Sequence, residues 1–158
     1  MNGAYKSRFS FGLVSGVITT LGLIIGLFYS TRSELAVIGG ILTIAIADAF
    51  SDSLGMHVST ESRTTKKKLI WGATISTFAA KFFFALTFII PILLFGFSPN
   101  AIYASIVWGL SLIGFFSYKI AKDQKEDPVH VVSEHLIIAV FVIVTTYYVG
   151  QIIGGFFV

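Results

Sequence analysis

The chain has no cysteine, which excludes disulfides, thiolate metal sites and cysteine nucleophiles and leaves the redox compartment open. It is also poor in charge. Asp, Glu, Lys and Arg make up 12 % of its 158 residues against 55 % hydrophobic, and the mean hydropathy is +0.87. That balance belongs to polytopic membrane proteins and not to water-soluble domains. No polar segment is long enough for a second folded domain, and no internal repeat or low-complexity tract interrupts the chain, so residues 1–158 read as one transmembrane domain. The formal net charge of +3 reports orientation before it reports any anionic partner, and nucleic-acid binding has little support.

What the chain does have is long apolar runs. About 20 predominantly apolar residues cross the hydrocarbon layer as a helix, and five runs qualify, at 9–29, 35–57, 69–97, 101–118 and 136–158. The expected fold class is therefore an all-α integral membrane protein of five transmembrane helices. The first run is long for a signal-peptide core and lacks a small-x-small cleavage site, so it is expected to be retained. With the N-terminus inside, Lys6, Arg8, Arg63, Lys66, Lys67, Lys68, Lys119, Lys122 and Lys125 are cytoplasmic, Arg32 alone is outside, and Lys81 lies within a span. The positive-inside rule then predicts N-inside and C-outside. Nothing in the sequence separates a prokaryotic plasma membrane from an organelle.

Three glycine pairs at i, i+4 stand out: Gly12 and Gly16, Gly22 and Gly26, Gly150 and Gly154. Such pairs let helix backbones approach closely, either inside one chain or across a dimer seam.

The second run carries acid into the membrane. In "IADAFSDSLGMHVSTES", Asp48, Asp52 and Met56 follow one another at four-residue spacing and share a helix face, with Ser51 and Ser59 close by. An aspartate at the bilayer centre costs about 2.5–3.5 kcal/mol on insertion scales, so such acids face a bundle interior and mark an ion or proton path. The stripe needs a positive partner: protons, a metal ion, or Lys81. Neighbouring carboxylates at low dielectric resist joint ionisation, whereas a divalent cation favours both anions. A site of this kind exchanges protons for metal, the minimal chemistry of an antiporter. Oxygen ligands with one thioether suit iron(II) or manganese(II) better than zinc.

Lys81 lies about 18 Å from the cytoplasmic end of its span and Asp48 about 14 Å from the same side, at 1.5 Å per residue, so the two can meet. Two roles stay open for the lysine: a fixed structural pair with Asp48, or an internal counter-charge that is released when a metal enters. On the cytoplasmic side, His57 and Glu61 are four apart, and Glu126, His130 and Glu134 repeat at four with His135 adjacent. They form either a metal-collecting entrance or a solvated polar face. Asp127 before Pro128 suits an N-cap and first helical residue. Pro91 should kink the third span by crowding the carbonyl of Thr87. Ser15, Thr19 and Thr20 give the first span a polar patch suited to interhelical hydrogen bonds.

In order, spacing and span count, "GLVSGVITTLGLIIGL", "GGILTIAIADAFSDSLGMHVSTES", "FALTFIIPILLF" and "TTYYVGQIIGG" resemble the vacuolar iron transporter family over nearly the whole chain. The resemblance implies a five-helix protomer in a two-fold homodimer that moves iron(II) or manganese(II) against protons, with metal as cargo and no resident cofactor. On this alignment Asp52 takes the place of the family's pore methionine and Met56 that of its glutamate. Ser15, before Gly16, replaces the first-span aspartate. The carboxylate-rich cytoplasmic domain is missing, and "STESRTTKKK" stands in its place. The chain is not expected to be an enzyme. Asp-x-x-x-Asp also occurs in membrane phosphotransferases, but the Asp-Gly and Ala-Arg elements that precede it there are absent.

Overall fold

The structure, a computed structural model, describes the backbone of residues 3–157 and the side chains of residues 9–156. Met1, Asn2 and Val158, the extremities of the domain and of the last expected span, lie outside the described residues, as do the side chains of Lys6 and Arg8.

Among the described residues six helices follow one another: α1 (Gly3–Thr31), α2 (Glu34–Glu61), α3 (Lys67–Leu86), α4 (Ile89–Phe95), α5 (Pro99–Gln124) and α6 (Pro128–Phe157). α3 and α4 are two segments of one span, so five helices are long and apolar enough to cross a membrane. α1 is the central post, with α2, α3, α5 and α6 all packed on it. Its buried stripe is Leu13, Val17, Leu21, Ile24 and Phe28, the three-and-four spacing of one helix face. α2 buries Val37, Ile41, Ala45, Ala49 and Ser53, and α5 buries Ser105, Gly109, Ile113, Ser117 and Ala121. The outward faces are as apolar as the inward ones, with Phe50, Leu54, Phe83, Phe115 and Phe141 all exposed. That arrangement suits hydrocarbon outside as well as inside.

Where lipid is as apolar as leucine, close backbone approach replaces hydrophobic burial as the packing force. All three glycine pairs serve it within this chain. A Cβ at Gly12 would sit 2.7 Å from the Thr77 carbonyl oxygen, and one at Gly16 would sit 2.9 Å from Lys81 Cγ, both on α3. Gly22 faces Val142 and Thr146 of α6, while Cβ atoms at Gly150 and Gly154 would meet the carbonyl oxygens of Gly26 and Tyr29 at 2.8 and 2.6 Å. The two ends of α1 are thus clamped to α3 and α6.

The break in the third span falls one turn before Pro91, as that proline requires. With no N–H at Pro91, the Thr87 carbonyl accepts instead from Ile90 N at 3.1 Å, and Phe88 N donates to the Ala85 oxygen at 3.2 Å. These tight i→i+3 bonds end α3 and start α4. Trp108 of α5 braces the break by donating its Nε1–H to Thr87 Oγ1 at 3.0 Å. The span stops at Phe95 and not at residue 97, because Gly96 adopts φ 64°, a turn that glycine accepts without cost.

Other ends also differ from expectation. α5 continues to Gln124, well past residue 118, and α6 begins at Pro128, well before residue 136. The polar stretch between them is therefore helix on both sides of a short turn at Lys125–Asp127, closed by Lys125 at φ 61°. Asp127 caps α6 through Val129 N, which donates to Asp127 Oδ1 at 3.0 Å, and Pro128 opens the helix as its first residue. α2 likewise runs to Glu61 instead of stopping at His57.

Candidate functional site

Three helices bring one polar cluster together in the middle of the bundle. α2 supplies Asp48 and Asp52 from adjacent turns, α1 supplies Ser15 and Thr19 at the same spacing, and α3 supplies Lys81. The lysine reaches in beside Gly16, whose missing side chain leaves room for Lys81 Cγ. Its ammonium bridges both carboxylates, lying 2.7 Å from Asp48 Oδ2 and in close contact with Asp52 Oδ2, and it also donates to Ser15 Oγ at 3.1 Å. Ser15 Oγ donates to Asp52 Oδ2 at 2.9 Å, and Thr19 Oγ1 donates to Asp48 Oδ2 at 3.0 Å. Each carboxylate therefore has one charged and one hydroxyl partner, all through a single oxygen.

Burial is uneven across the cluster. The Lys81 side chain is 2 % exposed, while those of Asp48 and Asp52 are 26 % and 24 % exposed. The cation is sealed and the anions are not. A cavity of about 550 Å³ borders Asp48 and Thr19 and extends toward Leu23 and Gly40, at the C-terminal half of α1. A second, of about 320 Å³, borders Ser15 and extends toward Ser10 and Phe11, at the N-terminal half of α1, where His135 and Ile138 of α6 line its far wall. The cluster lies between these two openings.

The sequence-predicted residues divide into those that assemble and those that do not. Asp48, Asp52, Ser15 and Lys81 come together, and Lys81 takes both aspartates where a pair with Asp48 was the simpler expectation. Met56 is half-buried one turn beyond Asp52. Ser51 does not join: it is exposed and borders a groove between α2 and α3, because a position one residue before Asp52 is rotated about a quarter turn away. The cytoplasmic entrance is not gathered either. His57 Nδ1 lies 2.9 Å from Thr74 Oγ1 and Glu61 pairs with Lys67 at 3.4 Å. Glu126 sits in the turn before α6 and so leaves the helix face of His130 and Glu134. Among the described residues, no three His, Asp or Glu groups are close enough to hold a metal ion.

Two contributions were not assigned from the sequence. Thr19 was visible only as part of a polar patch, though its spacing of four from Ser15 matches that of the two aspartates. Thr20, its neighbour, turns back to the Gly16 carbonyl at 2.6 Å. The other is Ser117, buried on α5, whose Oγ lies 2.7 Å from His135 Nδ1. Its signal was the run of small residues Ser105, Gly109, Ser117 and Ala121 at four- and eight-residue spacing.

Comparisons of the chain with protein-family models, with curated proteins and with solved structures found no match.

Proposed function

We propose that the chain is a secondary transporter that passes a cation through the Asp48–Asp52 pair, with Lys81 as the resident counter-charge and protons as the coupling ion. The observation that carries this reading is the charge count of the cluster. Two acidic groups share one ammonium, and two cavities border the cluster, one at Asp48 and Thr19 and the other at Ser15. A second acid deep in a membrane-spanning bundle marks an ion or proton path, and both carboxyl groups stay partly open to the cavities beside them.

The cargo is a divalent transition metal, iron(II) or manganese(II). The resemblance to the vacuolar iron transporters supports that choice, as do the oxygen ligands with the Met56 thioether one turn away. When the ammonium withdraws, Asp48 and Asp52 offer their oxygens to the metal, with Ser15 and Thr19 still donating to them. When the metal leaves, Lys81 or protons refill the site, which keeps the carboxylates from facing each other uncompensated. The positive-inside count supports an N-inside, C-outside orientation.

A two-fold homodimer fits the same reading. The glycine pairs of α1 and α6 are used inside the chain, but α2 turns small residues outward at Gly39, Thr43, Ala47, Ser51 and Gly55, with open space beside both glycines. A second copy packed there would cover the cavity beside Asp48.

The test is metal flux in proteoliposomes under an imposed pH gradient. Asp52→Asn is expected to abolish it, and undiminished flux would remove this site from the mechanism. One observation favours a second reading, the same fold holding a purely structural ion cluster. Among the described residues no buried side-chain nitrogen or oxygen lacks a hydrogen-bond partner, so the cluster is already satisfied as it stands.

A further inference from the structure

Away from the ion cluster, an apolar groove of about 680 Å³ runs between α2 and α3, walled by Phe50, Leu54, His57, Trp71, Ile75 and Phe78. From the level of His57 and Trp71 to that of Phe50 and Phe78 is seven residues on each helix, about 10 Å. This is a large part of the roughly 15 Å thickness of one leaflet's hydrocarbon. The rim is fixed: Thr74 holds His57 at 2.9 Å, and the imidazole packs edge-on against Trp71 with centroids 5.1 Å apart. Trp71 itself is exposed, an indole placed where membrane–water interfaces favour one.

The groove ends under a concentration of positive charge. Lys67, Trp71, Thr74 and Phe78 share one face of α3 by their three-and-four spacing, so Lys67 stands directly above the rim. Arg63, Lys66 and Lys68 are exposed beside it. Glu61 is the acid set against them, paired with Lys67. Lys66, at the N-cap of α3, makes no side-chain cap hydrogen bond.

We infer that this is a binding site for one anionic phospholipid, with an acyl chain in the α2–α3 groove and the phosphate on the cations of the α2–α3 loop. Each half of the surface selects one half of that ligand. A soluble anion would not fill the apolar groove, and a zwitterionic headgroup would not match the net positive charge of the loop above it. Juxtamembrane Lys and Arg clusters attract anionic headgroups by about a factor of five per cation.

The experiment is native mass spectrometry of the full chain released from nanodiscs containing equal phosphatidylglycerol and phosphatidylcholine. Wild type is expected to retain one phosphatidylglycerol in strong preference to phosphatidylcholine. Arg63→Gln/Lys66→Gln/Lys67→Gln alters only exposed side chains and should reduce that preference about a hundredfold. Ile75→Trp fills the groove from a position 63 % exposed and should lower retention of both lipids while the cations remain. Equal retention of the two lipids by wild type overturns the proposal. So does an unchanged preference in the triple variant, or undiminished retention in Ile75→Trp. Complete displacement of phosphatidylglycerol by millimolar glycerophosphate overturns it too, since the site would then be one for free phosphate.

Discussion

Lys81→Met removes the ammonium from between two carboxylates while keeping a long, flexible side chain in the space beside Gly16. Breaking a buried charge pair by deleting one partner costs about 3–5 kcal/mol. The low end applies here, because Asp48 and Asp52 keep about a quarter of their side-chain surface exposed and water can relieve part of the repulsion. For a chain of this size, 3 kcal/mol corresponds to a fall in Tm of about 6–12 °C. Thermal unfolding followed by tryptophan fluorescence in detergent, with chelator present, reads that fall directly. The carrier reading makes a second demand on the same variant. With the ammonium gone, a divalent ion should occupy its place, and manganese(II) at a hundred times its Kd should restore about 2.7 kcal/mol. Lys81→Met/Asp48→Asn/Asp52→Asn should be stable without metal and indifferent to it. A Lys81→Met protein that melts with wild type refutes the counter-charge argument. A loss of stability that Asp48→Asn repairs, and manganese(II) up to millimolar does not, refutes the carrier and leaves a structural pair.

Gly16→Ala would place a methyl 2.9 Å from Lys81 Cγ and 3.2 Å from its Cα. Overpacking of this kind costs about 1–3 kcal/mol and should displace the ammonium, so both Tm and flux should fall; an unchanged flux would show that the position of Lys81 is not critical. Asp127→Ala removes the cap on Val129 N and should cost about 1 kcal/mol, read as faster amide exchange in the first turn of α6 with flux untouched.

The spans and the break at Pro91 were legible because both follow from single strong effects, the hydropathy of a 20-residue window and the missing N–H of proline. The capping role of Asp127 and Pro128 was legible for the same reason. Helix ends were not, because hydropathy reports where lipid begins and not where hydrogen bonding stops. α5 runs on through Lys119 and Lys122, and α6 starts well before Leu136, because polar residues at the interface sustain helix as well as apolar ones do. Of the site, the Asp48–Asp52 stripe and the reach of Lys81 could be computed from rise per residue. Whether Lys81 met one aspartate or both depended on the depth at which α1 lets α3 approach. That depth is set by Gly12 and Gly16 against Thr77 and Lys81, and the glycine spacing read equally well as a dimer contact. Between an entrance and a solvated polar face the spacing could not choose: Glu126 is four residues before His130, but helix periodicity holds only inside a helix, and α6 begins after Glu126.

The strongest argument against a merely structural cluster is the second carboxylate. One aspartate neutralises one lysine, and an asparagine at position 52 would still accept hydrogen bonds from Lys81 and Ser15 through its carbonyl oxygen. It would bring no charge, and would avoid a cost of about 2.5–3.5 kcal/mol for an aspartate deep in the membrane. Asp52 therefore contributes something that hydrogen bonding does not require, a second ionisable group beside the one fixed cation. The hydroxyls fit the same logic, since Ser15 and Thr19 donate to the carboxylates that Lys81 also contacts and can hold their geometry while the ammonium is elsewhere. A cluster built only for stability would match its charges. On the carrier reading proposed above, the second acid is the group that a visiting cation or proton would engage.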